Sequence, residues 1–540
     1  MPYKRTIVTS ALPYANGPIH IGHLAGCLLP ADIYTRYLRL KGEDVIFICG
    51  TDEHGVPITI AAQKNNITPQ NVVDKYHKII KDSLSSLGIS FDIFSRTTNF
   101  THKKTSSEFF LKLYHNGNLV EKETQQYYDS TVNQFLADRY IRGTCPKCGY
   151  KDAYGDQCEK CGVTLSPHEL ISPRSMLSSH APVLKSTKHL YFQLQNYESW
   201  LKEWILKEHT SWKINVYGQC KSWLNHGLLE RPITRDLDWG VDVPIKEYKG
   251  KVLYVWFDAP IGYISFTKEL LGEEKCDMYW KSKDTRLIHF IGKDNIVFHS
   301  IIFPAMLKAH GDYILPDVVC GNEFMNLEGE KISTSRNHAI WLDDFLKEYP
   351  HSQDVLRYVL CANMPETKDS NFTWEDFKNR NNHELVDILG NFIYRTLSML
   401  KRYCDGKVNT ISELQEEDMA IFNTVNNLIA KICSDLDMFH FRDGLENVMN
   451  IARIGNKYLT SEEPWTIFKI NPQRSKDIIN ICIQIVAKIG IVLSPFLPFT
   501  SQKILDVFSL QNIQWEESLK NKIIKNDYVI KNFSFLFKKI

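Results

Sequence analysis

The stretch KRTIVTSALPYANGPIHIGH, residues 4–23, decides the fold at the start of the chain. Residues 5–10 alternate like a short strand, and an apolar helical pattern follows over residues 23–41, with Gly42 as a natural C-cap. The next stretch, EDVIFICGTDEHG at 43–55, has the pattern of a buried strand that runs into a polar loop. Strand, helix and strand at this spacing predict a βαβ unit with a parallel sheet.

Two later segments are predicted to add strands to this sheet, VLYVWFDAP at 252–260 and LIHFIGKDN at 287–295. Each segment ends in polar residues, and open parallel sheets bind ligands at the carboxyl ends of their strands. We therefore expect Asp52, Asp258 and Asp294 to meet at one crevice.

Length and composition bound the class of protein. The chain has 540 residues and 43% apolar residues, which predicts several domains with sizeable cores. Its net charge of +1 excludes a globally basic nucleic-acid binder, so any contact with nucleic acid must be local. The N-terminus carries no signal-peptide pattern, and the thirteen cysteines are mostly scattered. An odd cysteine count of this kind favours the reducing cytoplasm over a disulfide scaffold.

The most apolar segment, residues 478–493, is predicted to be a buried helix and not a membrane span. Asn480, Gln484 and Lys488 recur at spacings of four along it and form one polar stripe. A span needs about 20 apolar residues without such a stripe.

Composition shifts along the chain predict an α/β protein with an all-helical C-terminal domain. We expect one parallel-sheet domain in two halves, residues 1–115 and 236–320, interrupted by a cysteine-rich insertion at 116–235. A linking segment at 321–380 leads to a helical bundle at 381–540, where amphipathic helices replace the strand patterns.

Two histidines mark the first candidate site. His20 and His23 precede the helix that begins near Leu24, and a helix N-terminus offers free N–H groups that attract phosphate. Gly17 and Gly22 remove side chains where the backbone must approach a ligand. Two imidazoles there could stabilise charge on a phosphate during its transfer. A simple capping turn, or half of a metal site, would give the same short pattern.

The whole string around these histidines is more specific. ALPYANGPIHIGHLAG, residues 11–26, resembles the HIGH signature of class I aminoacyl-tRNA synthetases, and in its details the methionyl-tRNA synthetase family. Further blocks resemble that family in the family's order and cover nearly the whole chain: GTDEHGVPI (50–58), YVWFDAPIGYI (254–264), HFIGKDNIVFH (289–299), GEKISTSRN (329–337) and EEPW (462–465). The resemblance implies a Rossmann-like catalytic domain with a zinc-knuckle insertion and an α-helical anticodon-binding domain.

GEKISTS, residues 329–335, stands where the family has its KMSKS loop. Lys331 matches the first lysine, whereas Thr334 replaces the second and brings no charge. We expect Lys331 and Arg336 to neutralise the triphosphate of ATP, and Ser333 and Thr334 to add hydrogen bonds. In isolation the same string would be a solvated polar loop.

The resemblance also implies a methionine pocket. A thioether suits an apolar, polarisable and aromatic box, although any one of these aromatic residues alone would be ordinary core. The family's pattern makes Asp52 the ligand of the substrate ammonium and Arg235 its ion-pair partner. The matching wall residues are Ala11, Leu12, Tyr14, Trp256, Ala259, Pro260, Tyr263, Asp294, Phe298 and His299.

Four cysteines are spaced as a metal site. Two CxxC pairs, Cys145 with Cys148 and Cys158 with Cys161, are separated by nine residues, and Gly149 and Gly162 follow them as knuckle turns need. Four thiolates fit one tetrahedral Zn²⁺ with no open position, which makes the metal structural. A redox dithiol or a disulfide pair remains the alternative.

In the helical domain, the resemblance implies that Asn391, Arg395 and Trp465 read the anticodon. Asn391 and Arg395 are four residues apart and share a helix face, and Trp465 could stack on an unstacked base. An exposed polar pair with a packed tryptophan is the alternative. The chain ends at Ile540 without an appended oligonucleotide-binding domain, so we expect a monomer.

The function implied by the resemblance is a ligase that activates methionine with ATP and Mg²⁺ and transfers it to the 3′ end of initiator and elongator tRNA(Met). His20, Gly22, His23, Lys331 and Thr334 would bind the ATP. Two alternatives are a class I synthetase for another apolar amino acid and a non-catalytic tRNA-binding relative. The only residue that favours the second alternative is Thr334.

Overall fold

A computed structural model of the chain describes residues 3–155, 158, 160–161, 163, 165–334 and 336–540. A five-stranded sheet lies at its centre, with strands in the order β5-β4-β1-β2-β3 and every neighbouring pair parallel. The strands are β1 (Arg5–Ser10), β2 (Val45–Thr51), β3 (Ile93–Arg96), β4 (Thr285–Gly292) and β5 (Val318–Asn322). The predictions of β1, β2 and β4 and of the parallel sheet are therefore confirmed.

Successive side chains of a β-strand point to opposite faces of the sheet, so neighbouring residues of each central strand pack into the hydrophobic cores on opposite faces. In β1, Ile7 packs with the helices on one face, while Val8 packs with the other face. In β4, Leu287 and Ile288 divide in the same way. The core that contains Val8 continues without a break into the C-terminal helices, so the bundle packs directly on the helices of the central sheet.

The predicted helix after β1 begins slightly earlier than expected. It consists of a first turn at Ile21–His23, a π-helical segment at Leu24–Leu28 and a regular part at Leu29–Leu40. Gly42, just beyond its end, has a φ of +76°, which suits the glycine expected there. The other helices of the sheet domain are Val56–Asn65, Pro69–Ser86, Phe100–His115, Val255–Leu271, Glu273–Trp280, the π-helical Phe298–Ile302 and Phe303–His310.

Residues 252–260 are not a strand of the central sheet, so that prediction was wrong. Only Val252–Leu253 are extended, paired antiparallel with Thr234–Arg235, and the helix Val255–Leu271 follows at once. A continuous apolar run does not distinguish a buried strand from a buried helix, and this helix is buried around most of its circumference. Asp258 therefore lies in the first turn of a helix and not at the end of a strand.

The segment between β3 and β4 contains small antiparallel sheets of its own. Its four-stranded sheet consists of Leu119–Asp129, Gln134–Phe135, Val183–Phe192 and Arg231–Pro232. A three-stranded sheet of Ile141–Thr144, Ala153–Tyr154 and Ile171–Ser175 carries the cysteines. Its longer helical segments are Glu198–Glu203, Trp204–Glu208 and Ile214–His226, and short 3-10 turns lie at Asp138–Tyr140, Pro167–Glu169, Leu194–Tyr197 and Lys246–Tyr248.

A small linking fold joins the sheet to the C-terminal helices. Its three strands are Met325–Leu327, Glu330–Lys331 and Ser370–Phe372, and its helices are Leu342–Glu348, Gln353–Ala362 and Trp374–Asn379. From residue 380 onward the described elements are helical, as predicted: Arg380–Gly390, Asn391–Cys404, Glu416–Asp437, Phe441–Ser461, Pro464–Ile467, Pro472–Val492, Pro498–Val507 and Trp515–Leu519.

The apolar segment at 478–493 is a buried helix of this bundle, as predicted. Its polar stripe bonds to other parts of the chain: Gln484 accepts from the Ile523 and Ile524 amides at 2.7 and 2.9 Å, and Lys488 donates to the Ser518 carbonyl at 2.6 Å. Asn480 donates to the Asn409 carbonyl. Across the described residues, no helix has the length and apolar character to cross a membrane.

Candidate functional site

The central sheet has one position where its strand order reverses, between the neighbours β1 and β4. β1, β2 and β3 extend in one direction from this point, and β4 and β5 extend in the other. Open α/β sheets bind ligands in the crevice beyond the carboxyl ends of strands at such a switch point. The segments that follow β1 and β4 contain His20, His23, Asp294, Phe298 and His299, so the topology brings these predicted residues to one edge.

The two histidines cap the helix through their own rings. The Nδ1 atom of His20 accepts from the Gly22 amide at 3.1 Å, and the Nδ1 atom of His23 accepts from the His20 amide at 3.1 Å. Because both Nδ1 atoms are acceptors, each neutral ring carries its proton on Nε2. Burial lowers the pKa of His20 to about 2, helped by its neighbour His23, and lowers the pKa of His23 to about 4. At neutral pH both rings are therefore neutral Nε2–H donors.

Capping and phosphate binding are thus compatible in this motif. The cap uses only Nδ1, and the Nε2–H of each ring is left to donate to a ligand. A Cβ at Gly22 would lie 2.9 Å from the ring of His20, which explains why glycine stands between the two histidines. The ring centroids of His20 and His23 are 3.9 Å apart, so both donors serve the same small region.

The segment after the GEKISTS loop, residues 340–342, pairs directly with the histidine motif. The Ile21 amide donates to the Ile340 carbonyl at 3.2 Å, and the Leu342 amide donates to the Ile19 carbonyl at 2.9 Å. The indole of Trp341 lies 5.8 Å from the ring of His20. These bonds place the loop at 331–336 beside the helix N-terminus, which the sequence alone did not indicate.

The loop itself is a tight hairpin. Ser333 and His338 exchange two backbone hydrogen bonds of 2.9 Å, and Thr334 lies exposed in the turn between them. Ser335 lies outside the described residues. Lys331 is exposed, with Nζ 5.3 Å from the ring centroid of Phe324. The loop is a solvated polar hairpin in this structure, and its position beside His20 is what makes it a candidate for binding phosphate.

Arg336 is the second cation of this hairpin. Its Nη1 lies 3.9 Å from Oε2 of Glu330, and the two side chains are 63% and 66% exposed. An exposed ion pair of this length contributes at most about 1 kcal/mol, so Arg336 can leave it for a phosphate at little cost.

One wall of the predicted amino-acid pocket is formed by the loops after β1 and β2. The backbones of Tyr14 and Asp52 are bridged, since the Asp52 amide donates to Pro13 and the Ala15 amide donates to Asp52, each at 2.9 Å. The hydroxyl of Tyr14 donates to the carbonyl of His54. Burial, and after it the nearby Asp258 carboxylate, raise the pKa of Asp52 well above its ordinary value. A substrate ammonium would favour the charged form of this carboxyl.

The opposite wall is the helix Val255–Leu271. Its Trp256 is anchored by a 3.0 Å hydrogen bond from the indole nitrogen to the Pro232 carbonyl. Tyr263 lies 2.9 Å from Nε2 of His299, whose Nδ1 lies 3.1 Å from the Asn295 carbonyl. Because the Asn295 carbonyl can only accept, Nδ1 of His299 carries the proton of the neutral ring. The Tyr263 hydroxyl therefore donates to Nε2 of His299, and the far end of the pocket is neutral.

Asp294 is exposed, and the remaining predicted pocket residues are half-buried around these walls, namely Ala11, Leu12, Arg235, Ala259, Pro260 and Phe298. A Cβ at Gly262 would lie 3.3 Å from Leu12, so the two walls are in contact there. The guanidinium of Arg235 lies 4.2 Å from the ring centroid of Tyr254. The predicted pairing of Arg235 with Asp52 stays a prediction.

Two buried histidines were missed by the sequence analysis. His54 and His102 bind the two carboxylate oxygens of Asp258, with nitrogen–oxygen distances of 2.5 Å. His54 follows Asp52 within the quoted block GTDEHGVPI, and that proximity was the one available signal. Nothing local connects His102 to the site.

The four predicted cysteines converge on one point. Their sulfur atoms all lie within 4.8 Å of one another, with Cys145 3.8 Å from Cys161 and Cys148 3.6 Å from Cys158. Tetrahedral Zn²⁺ with Zn–S bonds of about 2.3 Å separates its sulfur ligands by about 3.8 Å, so the set fits this ion. The four sulfurs fill all four positions, which leaves none for a substrate.

Local turns hold these cysteines in place. The Gly149 amide donates to Cys145 at 3.0 Å, the Cys145 amide to Tyr150 at 2.8 Å and the Cys158 amide to Val163 at 2.9 Å. Gly149 has a φ of +70°, as a knuckle turn requires. The second predicted knuckle glycine, Gly162, lies outside the described residues.

We expect metal removal to disorder this small sheet selectively, because its core is small and the metal crosslinks it. Chelation, or Cys145→Ser, should release about one equivalent of Zn²⁺ and expose the segment around 140–175 to protease, as followed by mass spectrometry. Cys433→Ser, outside the cluster, serves as the matched control and should retain the metal. Equal metal content in both variants would contradict the assignment.

The three predicted RNA-contacting residues lie on neighbouring helices of the bundle. Arg395 and the exposed Asn391 are on Asn391–Cys404, and Trp465 is on Pro464–Ile467. The guanidinium of Arg395 is 5.7 Å from the ring centroid of Trp465. Arg395 and Trp465 line a shallow groove of about 490 Å³, together with Tyr394, Ser398, Met399, Arg402 and Tyr403. Two arginines and three aromatic rings give the groove the chemistry of a site for single-stranded RNA.

Comparison with known proteins agrees with this geometry. Residues 6–397 match the family model "tRNA synthetases class I (M)", and residues 408–540 match the "Anticodon binding domain of methionyl tRNA ligase". The chain is 56% identical to a methionine–tRNA ligase of Bacteroides fragilis, covering 100% of this chain and 79% of that protein. It is 57% identical to the corresponding ligase of Cytophaga hutchinsonii, covering 99% and 79%.

A solved structure gives the same result for the fold. The methionyl-tRNA synthetase of Mycobacterium tuberculosis in complex with methionyl-adenylate superposes with a TM-score of 0.82 at 23% identity, over 99% of both chains. Two family models together span nearly all of the sequence, and relatives above half identity cover its full length. The chain belongs to the methionine–tRNA ligase family.

Proposed function

We propose that this chain joins methionine to tRNA in two steps, with methionyl-adenylate as the intermediate. The observation that carries the proposal is the pairing of residues 340–342 with residues 19–21. This pairing supports a site in which Lys331 would act beside the Nε2–H donors of His20 and His23, at the edge of the sheet where the Asp52 pocket would open. Donors for a triphosphate and a binding site for an amino acid thus share one crevice.

In the first step, the methionine carboxylate attacks the α-phosphorus of ATP. A new C–O–P bond forms, the bond from the α-phosphorus to the bridging oxygen breaks, and pyrophosphate leaves with the electron pair. The carboxylate is already a nucleophile and needs no general base, so catalysis consists of positioning and charge stabilisation. We propose that His20 and His23 donate from Nε2 to the phosphate, and that Lys331 and Arg336 neutralise the departing pyrophosphate.

In the second step, a terminal ribose hydroxyl of the tRNA attacks the carbonyl of the adenylate. An ester bond forms, the mixed anhydride breaks and AMP leaves. Asp52 and Tyr14 would hold the ammonium of methionine through both steps, and the helix with Trp256 and Tyr263 would enclose its side chain. The groove with Arg395 and Trp465 would bind the anticodon of tRNA(Met) at the other end of the molecule.

The proposed metal requirements differ in kind. Mg²⁺ would be held chiefly by the ATP phosphates and would neutralise their charge, as is usual for this ion. Zn²⁺ would be held by Cys145, Cys148, Cys158 and Cys161 and would order the small sheet around them. We further propose a monomer that acts in the cytoplasm on initiator and elongator tRNA.

The division into domains supports these roles. We propose residues 1–115 and 236–320 as the two halves of the catalytic domain, with the insertion at 116–235 between them. Residues 321–380 would carry the phosphate loop, and 381–540 would form the anticodon-binding domain.

The experiment that tests the proposal is ATP–pyrophosphate exchange with methionine, and with leucine, isoleucine and valine as controls. Exchange that requires methionine is the expected result and identifies substrate and chemistry together. Exchange with another amino acid would move the assignment to a different synthetase. No exchange in a folded, zinc-loaded sample would leave a tRNA-binding relative, and Thr334→Lys would then test whether the missing lysine is the cause.

A further prediction concerns Arg336. We expect Arg336→Ala to slow adenylate formation at least about tenfold, because the loop then retains a single cation for the leaving pyrophosphate. Arg336→Lys should restore most of the rate. Glu330→Gln is the matched control, since it removes the partner of Arg336 in the free protein and should not slow the reaction. An unchanged rate in Arg336→Ala would contradict the role, with pre-steady-state pyrophosphate release as the measurement.

A further inference from the structure

A fully buried polar cluster lies behind the amino-acid pocket, outside the groups used in the proposed reaction. Its members are His54, His102 and Asp258, which are 1%, 0% and 0% exposed. Nδ1 of His54 lies 2.5 Å from Oδ2 of Asp258, and Nε2 of His102 lies 2.5 Å from Oδ1. The Ser106 hydroxyl adds a third donor to Oδ1 at 3.2 Å.

The distances identify this cluster as a hydrogen-bond network and not as a metal site. Ligands of a tetrahedral ion bound at about 2.1 Å are separated by about 3.4 Å, well beyond 2.5 Å. Each carboxylate oxygen is instead bonded to a different imidazole. Burial opposes ionisation of Asp258, but His102 and His54 outweigh it and hold its pKa well below the ordinary value. Asp258 is therefore an acceptor, and both rings donate to it.

The network connects the two walls of the amino-acid pocket. His54 belongs to the loop after β2 and lies two residues beyond Asp52. Its carbonyl accepts a hydrogen bond from the Tyr14 hydroxyl. Asp258 lies in the first turn of Val255–Leu271, the helix that carries Trp256 and Tyr263. Through His54, Asp258 ties the wall that would bind the ammonium to the wall that would bind the side chain.

His102 secures the network from a third side. It lies on the helix Phe100–His115, and its Nδ1 is 2.9 Å from the hydroxyl of Ser265, which lies two residues beyond Tyr263 on Val255–Leu271. The carboxylate of Asp258 is thus held from both of its oxygens by elements of fixed position. A single buried side chain sets the spacing of the two pocket walls.

We propose that Asp258 is a positioning residue for methionine, which sets the affinity for the amino acid through His54 and His102 without contacting it. The inference rests on the proposed function, because it concerns the same pocket. It predicts that disruption of the network impairs methionine binding selectively. The ATP-binding motif at His20 makes no contact with this network among the contacts described.

The test is ATP–pyrophosphate exchange with separate titrations of methionine and ATP. We expect Asp258→Ala to raise the KM for methionine at least about tenfold while the KM for ATP changes less than about twofold. Asp258→Asn should stay within about threefold of the wild type, because an amide can accept from His54 and donate to His102 after a tautomer change of that ring. If Asp258→Ala does not fold, His54→Phe tests the same link while retaining an aromatic ring.

A matched control separates positioning from general destabilisation. Asp32 is also fully buried and binds Arg357 at 2.7 Å, away from the pocket. Asp32→Ala should lower the melting temperature without a selective change in the KM for methionine. Parallel rises of both KM values in Asp258→Ala, an unchanged KM for methionine, or an equal rise in Asp258→Asn would each overturn the proposal. Exchange by the wild type confirms the proposed function independently of these outcomes.

Discussion

His20→Asn is expected to slow methionyl-adenylate formation by about two orders of magnitude while leaving the melting temperature nearly unchanged. The asparagine Oδ1 atom can replace Nδ1 of His20 as the acceptor from the Gly22 amide, and asparagine is among the best N-cap residues. It cannot replace the Nε2–H donor. The substitution therefore removes the hydrogen bond to the phosphate and keeps the cap. Single-turnover pyrophosphate release and thermal denaturation measure the two effects separately.

His20→Ala is the comparison that makes this separation quantitative. It removes both the donor and the cap, so we expect a similar loss of rate together with about 0.5–2 kcal/mol of lost stability. Raising the pH from 6 to 9 should not restore either variant, because the one histidine left in the motif, His23, is already kept neutral by burial. A rate within about threefold of the wild type in His20→Asn would reduce the histidine motif to a capping turn.

The sequence was informative where local patterns determine the structure. Strands β1, β2 and β4 are short apolar runs with polar residues at their carboxyl ends, and all three were predicted. The four cysteines were predicted as a cluster because their spacing alone brings each pair together. Residues 252–260 were predicted wrongly because a buried helix and a buried strand have the same continuous apolar pattern.

The site also depends on contacts between residues that are distant in the chain, and these left no local pattern. Asp258 meets His102, 156 residues earlier, and the hydrogen bonds between them follow from the packing of two helices. The pairing of Leu342 with Ile19 likewise places one phosphate motif against another. The family resemblance supplied the order of the motifs, whereas the fold supplies their spacing.

Trp465→Ala is expected to weaken aminoacylation of tRNA while leaving methionine activation intact. Stacking of one base on an aromatic ring contributes about 1–3 kcal/mol, which corresponds to about a 5- to 150-fold loss of kcat/KM for tRNA. The guanidinium of Arg395 lies 5.7 Å from the centroid of the Trp465 ring and would provide a cation for the same base or its phosphate. Trp465→Phe retains a stacking face and should recover most of the lost activity.

Two measurements on the same samples locate this effect. ATP–pyrophosphate exchange reports the crevice at β1 and β4, and it should be unchanged in Trp465→Ala, because the groove belongs to the helical bundle. The rate of aminoacylation of tRNA(Met) depends on tRNA binding at the groove. With a tRNA whose anticodon is changed, the wild type and Trp465→Ala should aminoacylate at the same rate. If the variant instead charges both tRNAs as the wild type does, Trp465 is a packing residue and the groove does not read the anticodon.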